Sequence, residues 1–410
     1  MSLTPETRKE NFLARIAGDP GKVLEPLDRE EWFLQRIIDG GDGKGFQPKI
    51  TATGILKGDG NGNVSAATDS DLPRPGDPYA GVNLAEKFAA EIAASGGDEW
   101  AWIKSRIQAG NFSGIHVADY IPFTTTNNIT MNAVVAGINT YKDYSDVRVG
   151  NHIDFITREM WPDTKMYNPV SWNNGLIPVE TVSADGTATT FVLTKEMNGV
   201  DTIKSGDTTL TGWTYDADTF TITFEEAPAA GTLTVTGVGS EHPWLASDLY
   251  LWLNSLVGQV PNSTDAPPDT AVKHVDYTAD GVFYYLPQSL KNVIVEKRFH
   301  LEKRYSSSGK LTNSNGAGWA NIGKLWIPTE VELCVASVWT GGGYAACGSV
   351  CQYPIFANGY SNFTGDRKNI WILSTKSDSS QNFVFLPSRR NIYFAGAASS
   401  YSVPICFRIA

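Results

Sequence analysis

Gly323-Lys324-Leu325-Trp326-Ile327-Pro328-Thr329-Glu330 is the first of the short apolar segments on which the fold of this chain depends. The later ones are Asn369-Ile370-Trp371-Ile372-Leu373-Ser374, Phe383-Val384-Phe385-Leu386 and Tyr401-Ser402-Val403-Pro404-Ile405-Cys406-Phe407-Arg408. Segments of this length, rich in Ile, Val, Phe and Trp and bounded by Gly, Ser and Asn, are typical of half-buried or buried strands. We therefore predict a strand scaffold over residues 321–410, with loops between the strands.

The predicted loops combine aromatic residues with small polar residues and carry little charge. Tyr and Trp offer a large amphipathic contact area at low entropic cost, and Ser, Asn and Gly adapt their hydrogen bonds, so this composition is typical of a binding surface. We expect some of the rings to belong to the core. The candidate ligand-binding residues are Trp339, Tyr344, Tyr353, Asn358, Tyr360, Asn362, Phe363, Ser379, Ser380, Tyr393 and Tyr401.

The composition and charge of the chain limit the number of domains and the classes of partner that we expect. A chain of 410 residues with 41% hydrophobic and 11% aromatic residues can fill the cores of several domains. The formal charge of -11 argues against a nucleic-acid or anionic-membrane partner, since both need a concentrated basic surface.

No apolar run is long enough to cross a bilayer and the first residues are polar, so we expect no signal peptide. Four cysteines are too few for a disulfide scaffold and are expected to be buried thiols.

The first eighty residues divide into two predicted segments. Residues 1–40 contain an internal repeat, in which Arg8 to Ile16 returns as Arg29 to Ile37, and each copy is predicted to be an amphipathic helix. The segment is either a self-contained helical hairpin or an attachment segment. Residues 41–80 hold Gly54 to Ala67, which predicts a β-hairpin around a Gly/Asp/Asn turn, followed by a Pro-rich linker. A calcium loop is disfavoured there because Val64 stands where Gly is needed.

Residues 81–109 return to helical spacing, with Trp100, Ile103 and Ile107 on one stripe. A strand is predicted at Asn151 to Ile156 and an amphipathic helix at His242 to Asn254. Between them, residues 179–238 alternate like strands and predict an inserted all-β sandwich module. Such an insertion is tolerated when its two ends lie close together. Residues 293–312 predict a hairpin with its turn at Ser306 to Gly309.

Several of these motifs resemble a C-type-lectin-like domain, related in shape to formylglycine-generating enzymes, that recurs in bacteriophage and prophage proteins. The motifs are Leu325 to Glu330, Trp371 to Ser374, Val403 to Arg408, Gln108 to Phe112 and Ile115 to Ile121. The resemblance implies an α+β fold with short N-terminal helices and a fibre-like repeat, then a lectin-like domain at residues 110–178 and 239–410 that the module at 179–238 interrupts. Leu56-Lys57-Gly58-Asp59-Gly60 is similar to the short repeats of phage fibres.

Catalytic and metal-binding constellations are weak in this sequence. His152, Asp154 and Asp119 could supply metal ligands, but a hydrogen-bonded strand histidine is the simpler interpretation. Cys347 and Cys351 match in type the cysteine pair of formylglycine-generating enzymes, yet their flanks lack the basic residues that would activate a thiolate. The Glu-Pro-Asn, Gln-Pro-Asp and Trp-Asn-Asp triplets of calcium-dependent lectins are absent from the corresponding region. We therefore predict no catalytic residue, no metal and no cofactor.

These features together lead to a functional hypothesis. The resemblance implies a phage virion fibre protein, of tail or head, that binds a bacterial cell-surface glycan or protein through the loops of a lectin-like tip. Residues 1–40 would contact other virion proteins, the fibre would be a homotrimer, and the protein would reside in the virion after synthesis in the host cytoplasm. A capsid-decorating fibre without a receptor, a cytosolic binding module and a glycan-cleaving enzyme are the alternatives.

Overall fold

The computed structural model describes residues 56–58, 64–66, 81–142, 144–170, 176–262, 272–303, 317–334, 339, 351–357, 368–377, 379, 381–387 and 392–410. The chain divides into two compact units, Met1–Tyr79 and Ala80–Ala410. In the first unit, β1 (Leu56–Gly58) pairs with β2 (Val64–Ala66) in an antiparallel hairpin, with Leu56 opposite Ala66. The predicted hairpin is confirmed. The helical repeat predicted at residues 1–40 lies outside the described residues.

The described part of the second unit is rich in strands and contains short helices. The helices are α1 (Leu84–Lys87), α2 (Ala89–Ala94), α3 (Glu99–Gln108), α4 (Asp248–Asn254), α5 (Val282–Tyr285), α6 (Gln288–Lys291) and α7 (Glu330–Cys334), with a 3-10 turn at Pro354–Phe356. The strands are β3 (Tyr120–Thr124), β4 (Thr130–Ile138), β5 (Ile153–Thr157), β6 (Lys165–Met166), β7 (Val179–Ala184), β8 (Thr190–Val192), β9 (Val200–Ser205), β10 (Thr208–Thr209), β11 (Trp213–Asp216), β12 (Thr221–Phe224) and β13 (Gly231–Gly237). They continue with β14 (Val257–Pro261), β15 (Val272–Asp276), β16 (Ile294–Val295), β17 (Arg298–Glu302), β18 (Ala317–Asn321), β19 (Leu325–Trp326), β20 (Ile370–Thr375), β21 (Asn382–Leu386), β22 (Tyr393–Gly396), β23 (Ser400–Tyr401) and β24 (Cys406–Ile409).

A six-stranded sheet forms the base of this unit. Its order is β16-β24-β5-β4-β3, and β19 also pairs with β24. All pairings are antiparallel, and Arg408 lies opposite Asp154 across β24 and β5. The described residues are mixed in secondary structure but rich in strands, in several sheets, which is compatible with the expected α+β class and also with a mostly β class.

Helix α3 packs on the six-stranded sheet through Trp100. Asp98 caps the helix by accepting hydrogen bonds from the backbone N–H groups of Trp100 and Ala101. The indole of Trp100 lies edge-on to Phe123, Phe155 and Phe407, with ring centroids 6.1–6.2 Å apart. These three rings come from β3, β5 and β24, so one aromatic side chain joins the helix to strands from both ends of the unit.

Asn254, at the end of α4, holds the start of the segment from Gly323 to Glu330. Gly323 has a φ of +97°, and a Cβ atom there would lie 2.6 Å from Oδ1 of Asn254. That oxygen accepts hydrogen bonds from the backbone N–H groups of Lys324 and Leu325, at 2.8 and 2.9 Å. Glycine is therefore required where the chain turns into β19.

Helix α4 is shorter than the sequence predicts. It begins at Asp248, because Ser247 accepts a hydrogen bond from the N–H of Tyr250 as the N-cap. The preceding residues, His242 to Ala246, form a turn in which the N–H of Ala246 donates to the carbonyl of His242.

Residues 179–237 form two small sheets with a core of their own. One sheet has the order β10-β9-β13-β7 and the other β11-β12-β8. Their buried residues include Ile203, Ile222, Leu233 and Val235. Leu176 and Ser240 form an antiparallel bridge where the chain enters and leaves, so the two ends lie side by side.

The predicted hairpin after residue 293 is present with a different second strand. Strand β17 pairs with β18, so that Glu302 lies opposite Ala317, whereas the sequence predicted the return strand at Lys310 to Thr312. Residues 310–312 lie outside the described range. In the described residues, no helix combines the length and the apolar character needed to cross a membrane.

Candidate functional site

Six of the predicted ligand-binding residues lie outside the described part of the chain. They are Tyr344, Asn358, Tyr360, Asn362, Phe363 and Ser380. The other five, Trp339, Tyr353, Ser379, Tyr393 and Tyr401, can be placed.

Tyr353 is fully buried, so its assignment to an exposed binding surface is wrong. Its hydroxyl accepts a hydrogen bond from Nζ of Lys297 at 3.0 Å and donates to Oδ2 of Asp154 at 3.2 Å. Tyr353 thus connects two buried ionic groups of the core, and no ligand can reach it without unfolding.

Four side chains around strands β20, β21 and β22 form the candidate site: Trp339, Lys376, Tyr393 and Phe394. We refer to these four as the aromatic patch. Tyr393 is 53% exposed, and its ring stacks on Phe394 with centroids 4.9 Å apart and an interplanar angle of 8°. Trp339 lies edge-on to both, at 6.0 Å from Tyr393 and 4.8 Å from Phe394. The patch therefore clusters the rings of two β22 residues with the ring of Trp339, which lies outside the strands.

The position of Trp339 is fixed by polar contacts. Its indole Nε1 donates to the carbonyl of Ile392 at 3.0 Å, and its backbone N–H donates to Oε1 of Glu330 at 2.9 Å. The carbonyl of Trp339 accepts from the N–H of Ser377 at 2.8 Å. These contacts tie Trp339 to the residue before β22, to α7 and to the β20–β21 turn, so the ring is positioned before any ligand binds.

Lys376 places a positive charge on the rings. Its Nζ atom lies 4.6 Å from the centroid of Phe394 and 5.7 Å from that of Trp339, within the range of a cation–π interaction. Neither Lys376 nor Phe394 is among the ligand-binding residues predicted from the sequence. Phe394 has the signal of an aromatic residue beside Tyr393 in a strand, whereas a single lysine in a turn has no comparable signal.

Tyr401 and Ser379 lie beside the aromatic patch. Tyr401 is half-buried and stacks on Phe385 at 4.4 Å, and Phe385 also contacts Tyr393 edge-on at 6.3 Å. Ser379 lies in the turn after Lys376, where its Oγ accepts a hydrogen bond from Nδ2 of Asn382 at 2.8 Å. The structure therefore brings Trp339, Ser379, Tyr393 and Tyr401 to one region and removes Tyr353 from it.

A second cluster of chemically notable residues lies deep in the core. Nζ of Lys297 is 2.5 Å from Oε1 of Glu332, and both side chains are fully buried. The same ammonium lies 4.1 Å from the ring of Tyr141, whose hydroxyl donates to Glu332 at 2.6 Å. Oε2 of Glu332 accepts from the N–H of Thr329 at 2.8 Å. Both carboxylate oxygens are bonded within the core, which indicates a structural role.

His152, Asp154 and Asp119, the possible metal ligands in the sequence, form hydrogen bonds and ion pairs within the protein. Asp154 forms two hydrogen bonds to the guanidinium of Arg408, at 2.6 and 2.8 Å. Although burial alone would raise it, this guanidinium lowers the pKa of Asp154 to about 2. His152 accepts from the N–H of Tyr141 through Nε2 at 3.1 Å, and Asp119 accepts from the N–H groups of Val82 and His116. Across the described residues, no group of three His, Cys, Asp or Glu side chains could hold a metal ion.

The described cysteines lie in surroundings that disfavour a reactive thiolate. Burial raises the pKa of the Cys351 thiol to about 11, so the nucleophilic thiolate is disfavoured at neutral pH. Cys334, Cys351 and Cys406 are free thiols, and Cys347 lies outside the described residues.

Comparison of the chain with known protein families, with characterised proteins and with solved structures finds no match.

Proposed function

We propose that this protein is a phage virion fibre protein that binds a host-cell surface receptor through the aromatic patch and its neighbouring loops. The observation that carries the proposal is the cluster of Tyr393, Phe394 and Trp339, which leaves Tyr393 more than half exposed on a hydrogen-bonded scaffold. Exposed aromatic rings held in place are typical of residues that dominate binding energy, because little conformational freedom is lost on contact.

The proposal includes a C-type-lectin-like fold for the second unit. The pairing of β24 with β5 supports it, since this pairing joins the last strand of the unit to one that lies about 250 residues earlier, so that the elements between them are carried on one sheet. Binding residues are commonly carried on loops above such a scaffold.

The proposal also includes attachment and assembly. Residues 1–40 would contact other virion proteins, and a homotrimeric stalk would present several copies of the site. Weak contacts at each copy then combine into a stable attachment, because the second and third contacts form at a high effective concentration. The protein has no catalytic role in this proposal.

The test is binding of labelled full-length protein, free and artificially trimerised, to intact cells of candidate bacterial hosts. We expect saturable binding that strengthens on trimerisation and weakens by about tenfold or more in the variant Tyr393→Ala. Tyr284→Ala is the matched control, because Tyr284 is an exposed tyrosine, at 46%, on α5. The proposal is overturned if no host binds either form while the protein assembles onto purified capsids or tails.

A further inference from the structure

The buried pair of Lys297 and Glu332 brings an amine and a carboxyl group together away from solvent. Neither side chain has any exposed surface, and Nζ of Lys297 lies 2.5 Å from Oε1 of Glu332. Nζ is therefore at most about 3.7 Å from Cδ of Glu332, since the C–O bond adds about 1.2 Å. Reacting atoms about 3–3.5 Å apart are close to the geometry of attack. The fold thus holds a nucleophile beside an electrophile.

Aromatic rings surround the ammonium of Lys297. The distances from Nζ to the ring centroids are 4.1 Å for Tyr141, 4.8 Å for Phe299 and Trp326, and 5.3 Å for Tyr353. An ammonium and a carboxylate are both costly to bury in such surroundings. Passing one proton from Nζ to Oε1 gives a neutral amine and a neutral carboxylic acid, and a neutral amine is nucleophilic.

Three hydrogen bonds place polar groups on the atoms that would react. The N–H of Thr329 donates to Oε2 of Glu332 at 2.8 Å, where negative charge develops when Nζ adds to Cδ. The hydroxyl of Tyr141 donates to Oε1 at 2.6 Å and can assist the departure of this oxygen. The hydroxyl of Tyr353 accepts from Nζ at 3.0 Å and orients the amine.

We propose that Lys297 and Glu332 condense to form an intramolecular amide. The bond from Nζ to Cδ forms and the bond from Cδ to Oε1 breaks. Two protons of the ammonium leave with Oε1 as one water molecule, and the third stays on the amide nitrogen. The step is therefore balanced without an oxidant, a reductant or any other co-reactant.

The amide would join two positions that are 35 residues apart in the chain. A covalent bond that closes a loop stabilises a fold by restricting the unfolded chain. The described cysteines are free thiols, and an amide needs none of the oxidising conditions that a disulfide requires. The crosslink is independent of what the protein binds.

The test is the mass of the purified full-length protein under denaturing conditions. We expect a mass lower than that of the sequence, with or without Met1, by one water molecule. Trypsin should leave Lys297 uncut and release residues 292–298 joined to residues 325–367. Lys297→Met should have the full mass of its own sequence. A full sequence mass for the unmodified protein overturns the proposal, and so does a missing water located in a single linear peptide, as in an aspartyl succinimide.

Lys303 and Glu241 provide a matched control within the same molecule. They form an ion pair of the same two residue types, but their side chains are 34% and 32% exposed. Because water solvates both charges there, we expect no crosslinked peptide from this pair. An equally abundant crosslink at Lys303 would overturn the role assigned to the buried surroundings of Lys297.

Tyr141→Phe tests the hydroxyl that acts on the departing oxygen. We expect crosslinking to be at least about tenfold slower in this variant, measured by mass in samples taken over time after cell-free synthesis. Tyr167→Phe is the control, since Tyr167 is also fully buried and its hydroxyl donates to the carbonyl of Leu373 at 3.2 Å. The control should crosslink at the rate of the unmodified protein. Equal rates in all three proteins would overturn the assignment of Tyr141.

Discussion

At the scale of single residues, the ion pair between Asp154 and Arg408 is expected to be among the most costly contacts to break. The variant Asp154→Asn leaves a buried guanidinium without its counter-charge, so we expect a loss of about 3–5 kcal/mol in the free energy of unfolding. Urea unfolding measures this loss. Asp146→Asn is the control, since Asp146 pairs with Arg298 through the same two groups at a partly exposed position, and it should cost no more than about 1 kcal/mol. Similar losses in both variants would contradict the prediction.

The same ion pair predicts a specific acid sensitivity. Because the pKa of Asp154 in the folded protein is lowered to about 2, the pair contributes stability above the ordinary aspartate range. That contribution, about 2 kcal/mol, is lost as the pH falls from about 4 towards 2. Urea unfolding between pH 5 and 2.5 should show a steeper fall for the unmodified protein than for Asp154→Asn. Parallel curves would refute the assignment.

Lys297 and Glu332 provide a test of coupling between buried charges. Lys297→Met removes the ammonium from its aromatic surroundings and leaves the buried carboxylate unpaired, for which we expect a loss of about 3–5 kcal/mol. Adding Glu332→Gln removes the stranded charge and keeps an acceptor for the N–H of Thr329. The double variant should therefore be more stable than the sum of the single losses implies, by about 1 kcal/mol or more in a double-mutant cycle. Additive losses would show that the two charges do not interact.

Tyr393 and Tyr353 show when the exposure of a residue can be predicted from the sequence and when it cannot. Tyr393 could be chosen from composition because an aromatic residue among Ser, Ala and Gly is unusual on a surface. Tyr353 ends a predicted loop that is likewise rich in Gly, Ala and Ser, but it is buried and contacts Lys297 and Asp154, of which Asp154 is 199 residues away. No local pattern reports such contacts, so an aromatic candidate can belong to the core without any sign of this in the sequence.

At the scale of elements, the module formed by β7 to β13 is expected to unfold as a unit of its own, because its buried residues form a separate cluster. Ile203→Ala should lower the stability of the module by about 2–5 kcal/mol. Hydrogen exchange read by mass spectrometry should then show faster exchange in residues 179–237 and unchanged exchange in β20 and β21. The exposed Val192→Ala is the control in the same module. Equal loss of protection in β20 and β21 would contradict the independence of the module.

Elements with strong local signals were predictable, and those defined by distant partners were not. The stripe of Trp100, Ile103 and Ile107 gives α3, with all three residues buried. Strand β18 is missed because Ala317, Gly318 and Asn321 have weak strand preference, while Ser306 to Gly309 has strong turn preference. These residues form a strand because the whole of β18 pairs with β17.

At the scale of the whole molecule, two buried histidines far apart in the sequence make stability depend on mild acid. Burial lowers the pKa of His152 and of His242 below the usual value near 6.5. The unfolded chain therefore takes up protons more readily, and stability falls as the pH drops below about 6.5, by up to about 1.4 kcal/mol per histidine and pH unit. Unfolding at pH 7.5 and 5.5 measures this fall. The double variant His152→Gln/His242→Gln should show a flatter pH dependence, and an unchanged slope would contradict the prediction.

The position of β24 inside the six-stranded sheet, between β16 and β5, also has a consequence for synthesis on the ribosome. Its residue Arg408 pairs with Asp154, 254 positions earlier, so one edge of β5 has no partner until the ribosome has made most of the chain. At about 5–20 residues per second, that wait is roughly 13–50 s. An open strand edge is a template for pairing with other chains, so nascent copies held close together on one messenger are exposed to misassembly throughout this interval. Yield in the cell should therefore be limited by chaperone capacity and translation speed more than by the stability of the finished fold.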